Sequence, residues 1–185
     1  MRIVTGDLRG RPIRTPEGQD TRPTSDRARQ AVFNILEHAP WSDGVADHRV
    51  IDLFAGSGAM GLEALSRGAA ACLFVETAAP ALDAIGANID AFRLHPRARV
   101  LRQDATRLTG RPASEAPFDL AFLDPPYGKG LGEAALAALK AGGWLADGAV
   151  IVFERGADEP ELEAPGFEVV DQRRYGAASV WILRG

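Results

Sequence analysis

The sequence is poor in cysteine and histidine, and it has no long hydrophobic run. Cys72 is the only cysteine among 185 residues, which excludes a disulfide framework and any metal site built from several cysteines. The three histidines are scattered and lack the spacing of metal ligands. No stretch approaches the roughly 18 apolar residues of a membrane-spanning helix, and residues 1–11 lack the apolar core of a signal peptide. We therefore expect a soluble, cytoplasmic protein with no metal, membrane span or export signal.

Lysine is also scarce, so the positive charge of the chain comes from nineteen arginines and only two lysines. The net charge of −4 excludes a uniformly basic nucleic-acid binder. Residues 1–29 nevertheless carry seven arginines against four acidic residues, a net charge of +3, which leaves −7 for the other 156 residues. This basic segment indicates one local surface for an anionic partner, and a merely solvated arginine-rich segment is an equal alternative.

The hydrophobic pattern predicts a single α/β domain, with residues 1–23 as a basic hairpin or loop arm and residues 24–185 as a Rossmann-like core. A helix begins near Ser25 and ends before Pro40, and strands then alternate with helices, which is typical of a parallel sheet with helices on both faces. The predicted strands are 50–54, 71–76, 99–103, 118–123 and 149–154, and the later helices are 59–67, 80–92 and 131–141. Two last strands, 167–173 and 179–183, have no helix between them and predict an antiparallel hairpin.

The strongest motif is an apolar strand that runs into a turn with three glycines and then into a helix. Gly56 and Gly58 allow a tight turn and the close approach of a ligand, and Gly61 permits close packing of the helix on the strand. In open α/β sheets this crevice binds ligands, and the pattern predicts a cofactor that contains adenosine. The loop residues that we expect at the cofactor are Phe54, Ala55, Gly56, Ser57, Gly58 and Gly61.

Carboxylates at the ends of the first three strands bear on the choice of cofactor. The carboxylate of Asp52 would repel a pyrophosphate. It suits the cationic methionine end of S-adenosylmethionine, which it could bind directly or through the loop amides. The alternative is that Asp52 only holds the glycine turn in place. Glu76 is well placed to accept from both ribose hydroxyls, although its spacing from Gly56 also fits a nicotinamide coenzyme. The alternative for Glu76 is a surface acid at the end of the strand. Asp104 can accept from an adenine amino group and Ala105 can donate its backbone N–H to the ring, or Asp104 caps a turn.

The chemistry is expected at Asp124, Pro125, Pro126 and Tyr127, which follow a buried strand. The two prolines remove two backbone donors and stiffen the turn. The Asp124 carboxylate and the Pro125 carbonyl can accept both hydrogens of an exocyclic amine, which directs the nitrogen lone pair at a methyl donor, and the carboxylate stabilises the charge that develops. Tyr127 can stack on the base. The NH₂ groups of guanine, of adenine in DNA and of a protein glutamine all fit this chemistry.

These motifs together resemble S-adenosylmethionine-dependent amino-methyltransferases. Residues 22–29, Arg-Pro-Thr-Ser-Asp-Arg-Ala-Arg, followed by residues 31–36, resemble the N-terminal signature of the RsmD-type family of small-subunit ribosomal RNA guanine-N2 methyltransferases. The resemblance implies a seven-stranded, mostly parallel sheet with an antiparallel last strand. It also implies S-adenosylmethionine as cofactor and methylation of the 2-amino group of one guanine in 16S ribosomal RNA, on an assembled or assembling small subunit.

With this resemblance the arginine segment is expected to contact RNA, and the alternative is a helix start held together by Asp–Arg pairs. The candidate RNA-binding residues are Arg22, Thr24, Asp26, Arg27 and Arg29. The acidic stretch 154–171 is expected to face away from RNA. A nicotinamide oxidoreductase would need an acid or base at the hydride site that we do not find in the sequence, and a non-catalytic RNA chaperone on the same fold stays open.

Overall fold

In the computed structural model, which describes residues 1–17 and 25–185, seven strands form one sheet with helices on both faces. The helices are α1 (Asp26–His38), α2 (Ala59–Ser66), α3 (Ala79–Phe92) and α4 (Leu131–Ala141), and a 3-10 turn spans Ala105–Arg107. The strands are β1 (Arg49–Leu53), β2 (Ala71–Glu76), β3 (Ala98–Arg102), β4 (Phe118–Leu123), β5 (Leu145–Gly156), β6 (Glu168–Tyr175) and β7 (Ala178–Arg184). Within the described residues, no helix has both the length and the apolar character needed to cross a membrane.

The strand order is β3-β2-β1-β4-β5-β7-β6. The first five strands in this order pair in parallel, whereas β7 runs antiparallel to both β5 and β6. The last strand is thus inserted between its two neighbours, and the turn that reverses the chain uses Gly176 at φ +61°. The Rossmann-like fold and the antiparallel last strand are confirmed. Because the carboxyl ends of parallel strands meet at one edge, β1, β2 and β4 deliver their terminal residues to the same crevice.

Alternate residues of the central strands face two apolar layers. On one face, α1, α2 and α3 cover a cluster that includes Val50 and Phe122. On the other face, α4 covers a cluster that includes Ile51 and Leu123. The prediction of helices on both faces is confirmed, and the crossover from β3 to β4 uses the 3-10 turn in place of a full helix.

Helix α1 begins at a side-chain cap, because Ser25 Oγ accepts a hydrogen bond from the backbone N–H of Ala28 at 3.1 Å. The buried face of the helix is formed by Arg29, Val32, Phe33 and Leu36. Phe33 packs against Phe122 of β4, with ring centroids 5.6 Å apart. The helical spacing of apolar residues in the sequence predicts a face that shares Val32 and Leu36 with the observed one but lacks Arg29 and Phe33; the predicted set is Ala28, Ala31/Val32, Ile35/Leu36 and Ala39.

The N-terminal hairpin is smaller than predicted and consists of a single antiparallel bridge between Arg2 and Pro12. The bridge does not extend because the next two backbone N–H groups, of Val4 and Thr5, donate instead to the carboxylate of Glu63 on α2, at 2.8 and 2.9 Å. The arm is therefore held both to α2 and to itself, the latter through the backbone bonds from Ile3 N–H to the Arg11 carbonyl and from Ile13 N–H to the Met1 carbonyl, each at 3.0 Å.

Candidate functional site

The glycine loop after β1 is held in an uncommon backbone conformation. Phe54 has φ +56°, which is strained for a residue with a Cβ, and Gly56 and Gly58 have φ +56° and +79°. A Cβ on Gly56 would meet only the Phe54 carbonyl oxygen at 3.9 Å, so the space beside this glycine is open to a ligand. A Cβ on Gly61 would lie 2.4 Å from the Phe74 ring, so Gly61 permits the close packing of α2 on β2. The loop fits the close approach of a cofactor.

Asp52 lies beneath this loop and is 3% exposed. Its Oδ2 accepts a hydrogen bond from the Gly61 backbone N–H at 3.0 Å, and so ties the start of α2 to β1. Burial raises the pKa of Asp52 well above its usual value; the Gly61 bond opposes this shift, and the charges of Asp124 and Glu76 add to it. The contact is the one expected of a residue that positions the loop, one of the two roles considered for Asp52.

Glu76 joins the end of β2 to the glycine loop. Its Oε2 accepts from the Gly56 backbone N–H at 2.9 Å, and its Oε1 accepts from the N–H groups of Thr77 and Ala78 at 2.7 and 3.0 Å. A carboxylate accepts about four hydrogen bonds. Accepting from both ribose hydroxyls, as the sequence predicts, therefore requires one of these three backbone bonds to yield.

Asp104 and Ala105 follow β3 at the same edge. Asp104 is exposed, and its Oδ1 accepts from the backbone N–H and hydroxyl of Thr106 at 2.8 and 2.7 Å. These two bonds lower the pKa of Asp104. Asp104 thus caps the 3-10 turn in which Ala105 is buried, and its exposed carboxylate is placed at the outer end of the crevice.

The Asp124–Tyr127 motif leaves the sheet between the glycine loop and α4. Asp124 is half-buried and close enough to Asp52 for its charge to raise the pKa of that carboxyl, whereas Pro125 is buried and Pro126 is exposed. A Cβ on Gly132 would lie 2.9 Å from the Pro125 ring, so this glycine allows α4 to pack against the motif. Cofactor loop and motif therefore lie at one acidic edge of the sheet.

The outer part of the motif is fastened to the end of β5. Glu159 Oε1 accepts from the backbone N–H groups of Gly128 and Gly156, at 3.0 and 2.8 Å. Behind it, the buried Arg155 donates to Glu133 of α4 at 2.8 Å and lies 3.5 Å from Glu159. Reasoning from the sequence missed this clamp, because the residues that it joins are about thirty positions apart.

An open pocket of about 610 Å³ adjoins the motif on the side of α1. Tyr127, which is 40% exposed, lies at this pocket and donates its hydroxyl hydrogen to the carboxylate of Glu154 at the end of β5. The other lining residues come from the start of α1 and from the β6–β7 turn and β7: Ser25, Arg27, Ala28, Ala31, Val32, Tyr175, Gly176, Ala177, Ala178 and Val180. Glu154, the first residue of the acidic stretch expected to face away from RNA, instead lies beside the motif. The pocket is wide enough for a nucleobase.

The structure divides the candidate RNA-binding residues into different groups. Arg27 is exposed and lines the pocket. Arg29 is 0% exposed and pairs with Asp26 at 2.8 Å and with Glu63 at 3.4 Å, so the prediction that Arg29 contacts RNA is wrong, and the alternative of Asp–Arg pairing is correct there. Asp26 is engaged in the same pair. Arg22 and Thr24 lie outside the described residues.

Two other kinds of chemistry, a covalent cysteine adduct and metal catalysis, have little support in the described residues. Burial and the charge of the neighbouring Asp52 raise the pKa of the Cys72 thiol. The higher pKa disfavours the thiolate that Cys72 would need to attack a base and form a covalent adduct with it. Among residues 1–17 and 25–185, no group of three or more histidine, cysteine or acidic side chains is arranged to hold a metal ion.

Known proteins share this architecture along the chain. The family model described as "Conserved hypothetical protein 95" matches residues 1–184. The chain is 38% identical over 154 residues to the "Ribosomal RNA small subunit methyltransferase D" of Escherichia coli, covering 83% of this chain and 74% of that protein. The Haemophilus influenzae protein of the same name is 31% identical over 180 residues, 97% of this chain and 91% of that protein. The solved structure of the Escherichia coli protein yhhF has a TM-score of 0.85 at 32% identity and covers 100% of this chain and 97% of its own.

Proposed function

We propose that this chain, which belongs to the RsmD-type family of methyltransferases, transfers a methyl group from S-adenosylmethionine to small-subunit (16S) ribosomal RNA, at the 2-amino group of a guanine. The observation that carries the proposal is the position of Asp124. Asp124 is half-buried at the end of β4 and close enough to Asp52 for its charge to raise the pKa of that carboxyl, and Tyr127 of the same motif lines a pocket of nucleobase size. A cytoplasmic location follows from this substrate.

The residues of the crevice suit the cofactor in separate ways. The backbone around Gly56 and Gly58 approaches it, Glu76 accepts from its ribose, and Asp104 and the Ala105 N–H face its adenine ring. Asp52 acts through Gly61 and keeps the loop in place. When bound, S-adenosylmethionine supplies a methyl group that its sulfonium charge has already activated. The chain therefore needs no strongly basic residue and has mainly to align the acceptor nitrogen.

The acceptor side of the proposal rests on two oxygens. The Asp124 carboxylate and the Pro125 carbonyl accept the two hydrogens of the amino group, which turns its lone pair out of conjugation with the ring. The carboxylate then stabilises the positive charge on nitrogen, and the surplus proton leaves to Asp124 or to water. Pro126 stiffens the turn, and Tyr127 stacks on the base.

The proposal that ribosomal RNA is the substrate is supported by the names of the relatives and by the pocket. A base reaches the Asp124–Tyr127 motif only when it is unstacked, so the target guanine lies in a loop or is flipped out of a helix. Arg27 at the pocket meets the phosphates that flank the flipped nucleotide. The arm residues Arg22 and Thr24 are proposed as further contacts on the sequence resemblance alone.

The test is methyl mapping in a strain that lacks this protein. Its small subunits, total DNA and total protein are incubated with the purified enzyme and S-adenosylmethionine that carries a tritiated methyl group, and the label is located by nuclease or protease digestion. We expect label on N2 of a guanine in ribosomal RNA. The Asp124→Ala variant should bind the cofactor and lose transfer, whereas Asp147→Ala, which changes an exposed acid in the first residues of β5, should retain it. Label on DNA or protein alone, or normal transfer by Asp124→Ala, contradicts the proposal.

A further inference from the structure

Glu154 is placed where a base edge would meet it. It lies near the end of β5, is half-buried, and is the one acidic residue among the described residues that line the pocket beside the motif. The neighbouring wall is made of small and apolar side chains, including Ala31, Ala177 and Val180. A ligand that enters the pocket therefore meets one carboxylate beside a largely apolar wall.

The hydroxyl of Tyr127 supplies one donor to this carboxylate. The bond fixes the carboxylate beside the aromatic ring on which a base would stack. Since a carboxylate accepts about four hydrogen bonds, the contact with Tyr127 is compatible with a further donor from the base. The side chain thus presents an acceptor, held in position, within the pocket that the amino group must enter.

The possible methyl acceptors differ in the atom next to their NH₂ group. In guanine the 2-amino group is adjacent to N1–H, a donor. In adenine the 6-amino group is adjacent to N1, an acceptor, and in a glutamine side chain the amide nitrogen is adjacent to a carbonyl oxygen, also an acceptor. A carboxylate at this point attracts the guanine edge and repels the other two.

We infer that Glu154 is the residue that selects guanine, by accepting the N1–H of the flipped base while the Asp124–Tyr127 motif holds its 2-amino group; this inference rests on the proposed function. It explains how a motif that accommodates three kinds of NH₂ group acts on one of them. A wrong base sets an acceptor against this carboxylate in place of the N1–H donor, which corresponds to a discrimination of about 10- to 100-fold.

The test replaces one atom of the substrate. RNA hairpins are synthesised with the mapped target guanine in the loop, or with 2-aminopurine at that position. 2-Aminopurine keeps the 2-amino group and has an unprotonated N1, which is an acceptor. In single-turnover assays the wild-type enzyme should methylate guanine about 10- to 100-fold faster than 2-aminopurine. E154Q, whose amide can donate to N1, should reduce or invert that ratio, and E154A should reduce it.

A second readout does not depend on turnover. 2-Aminopurine fluorescence changes when the base moves from the stack of the RNA into a protein pocket, so titration without cofactor reports binding of the flipped base. E154Q should bind the 2-aminopurine hairpin at least several-fold more tightly than the wild type. E161Q, which changes an exposed acid outside the pocket, should leave both the rate ratio and the binding unchanged. Y127F keeps the ring that stacks on the base and loses the bond that fixes Glu154, so it should still transfer a methyl group and show a weaker preference for guanine.

The outcomes separate the two claims. If the wild-type enzyme transfers a methyl group to neither hairpin nor to small subunits, the proposed function is overturned and Glu154 loses its role with it. The other outcome is that guanine is methylated and that E154Q, shown to be folded by its thermal denaturation curve, has the wild-type ratio of rates on guanine and 2-aminopurine. In that case the guanine-selecting role is overturned while the proposed function stands.

Discussion

The guanidinium of Arg29 lies 3.4 Å from the carboxylate of Glu63, and neither side chain has exposed surface. Glu63 also accepts from the backbone of Val4 and Thr5, and from Arg67 Nε at 3.0 Å. One buried carboxylate therefore joins the N-terminal arm, α1 and α2. Arg29, the third arginine of the signature at residues 22–29, is thus part of the architecture that holds the arm in place.

This arrangement predicts opposite phenotypes for two arginines that are two positions apart. Arg29→Ala removes one of the two arginines that pair with the buried Glu63 and leaves a cavity between the arm and α1, and we expect a loss of at least about 2 kcal/mol in the free energy of unfolding. Arg27→Ala, at an exposed position, should change it by less than about 0.5 kcal/mol. Urea denaturation followed by circular dichroism measures both values.

For RNA binding we expect the larger direct effect from the variant of Arg27 rather than from that of Arg29. Arg27→Ala should weaken binding to small-subunit RNA and flatten its dependence on salt concentration, because one phosphate contact is lost. Equal stability of the two variants, or an unchanged salt dependence for Arg27→Ala, would show that their roles have been assigned wrongly.

The burial of Arg29 also shows where reasoning from the sequence succeeds and where it stops. Strand and helix positions follow from local patterns, and β2, β4 and α4 were predicted with the bounds that the structure has. The buried face of α1 could not be predicted in this way. Arg29 has the helical spacing of Val32, Phe33 and Leu36, but as an arginine it was expected at the surface. Its burial depends on its partners, which are Asp26 one turn earlier in α1 and Glu63, far along the chain on α2.

The candidate site, too, could be predicted only in part from the sequence. The glycine loop and the Asp124–Tyr127 motif are contiguous in sequence and were found there. Glu154 and Glu159 reach the motif through the pairing of β5 with its neighbours, which no local pattern encodes. The insertion of β7 between β5 and β6, which forms one wall of the pocket, is likewise a property of the whole sheet.

Asn88 is predicted to couple the arm to the cofactor loop. It is 2% exposed, accepts from the Arg14 backbone N–H at 2.8 Å, and donates to the carbonyl oxygens of Arg14 and Ser57 at 2.9 and 3.1 Å. Asn88→Ala leaves these backbone groups unpaired, at a cost of about 1–3 kcal/mol. We expect faster hydrogen exchange in residues 1–15 and in the glycine loop, together with weaker binding of S-adenosylmethionine by calorimetry.

The control for Asn88 is Asp83→Ala, which changes an exposed residue on the same helix. It should leave exchange and binding as in the wild type. If Asn88→Ala speeds hydrogen exchange in the arm and leaves exchange of the glycine loop unchanged, the prediction is wrong. The side chain would then fasten the arm without coupling it to the cofactor site.

The raised pKa of Asp52 predicts an inverse dependence of stability on pH. The unfolded chain loses this proton near pH 3.9, whereas the folded protein keeps it to a higher pH. Between the two pKa values the folded state binds more protons, so its stability falls as pH rises, by at most about 1.4 kcal/mol per pH unit. Asp52→Asn still offers an oxygen to Gly61 and cannot ionise. Its stability relative to the wild type should therefore increase from pH 4 upward in urea denaturation, and a difference that is constant with pH would refute the assignment.

The Glu159 clamp predicts a defect in catalysis with little effect on the cofactor. Glu159→Ala leaves the N–H groups of Gly128 and Gly156 without their acceptor and frees the loop that carries Tyr127, so the rate of methyl transfer should fall about tenfold or more. Affinity for S-adenosylmethionine should stay within about twofold, because the glycine loop lies on other strands.

Glu159→Gln is the informative partner of that variant. Its amide oxygen can accept from the same two N–H groups, so we expect it to recover most of the transfer rate, although it loses the charge beside Arg155. Glu161→Ala, two residues further along and exposed, controls for changes in the surface charge of this segment. Single-turnover transfer and cofactor titration on the three variants measure these effects. If Glu159→Gln were as slow as Glu159→Ala, the charge of the Arg155–Glu159 pair, rather than the hydrogen bonds to the loop, would be what holds the motif.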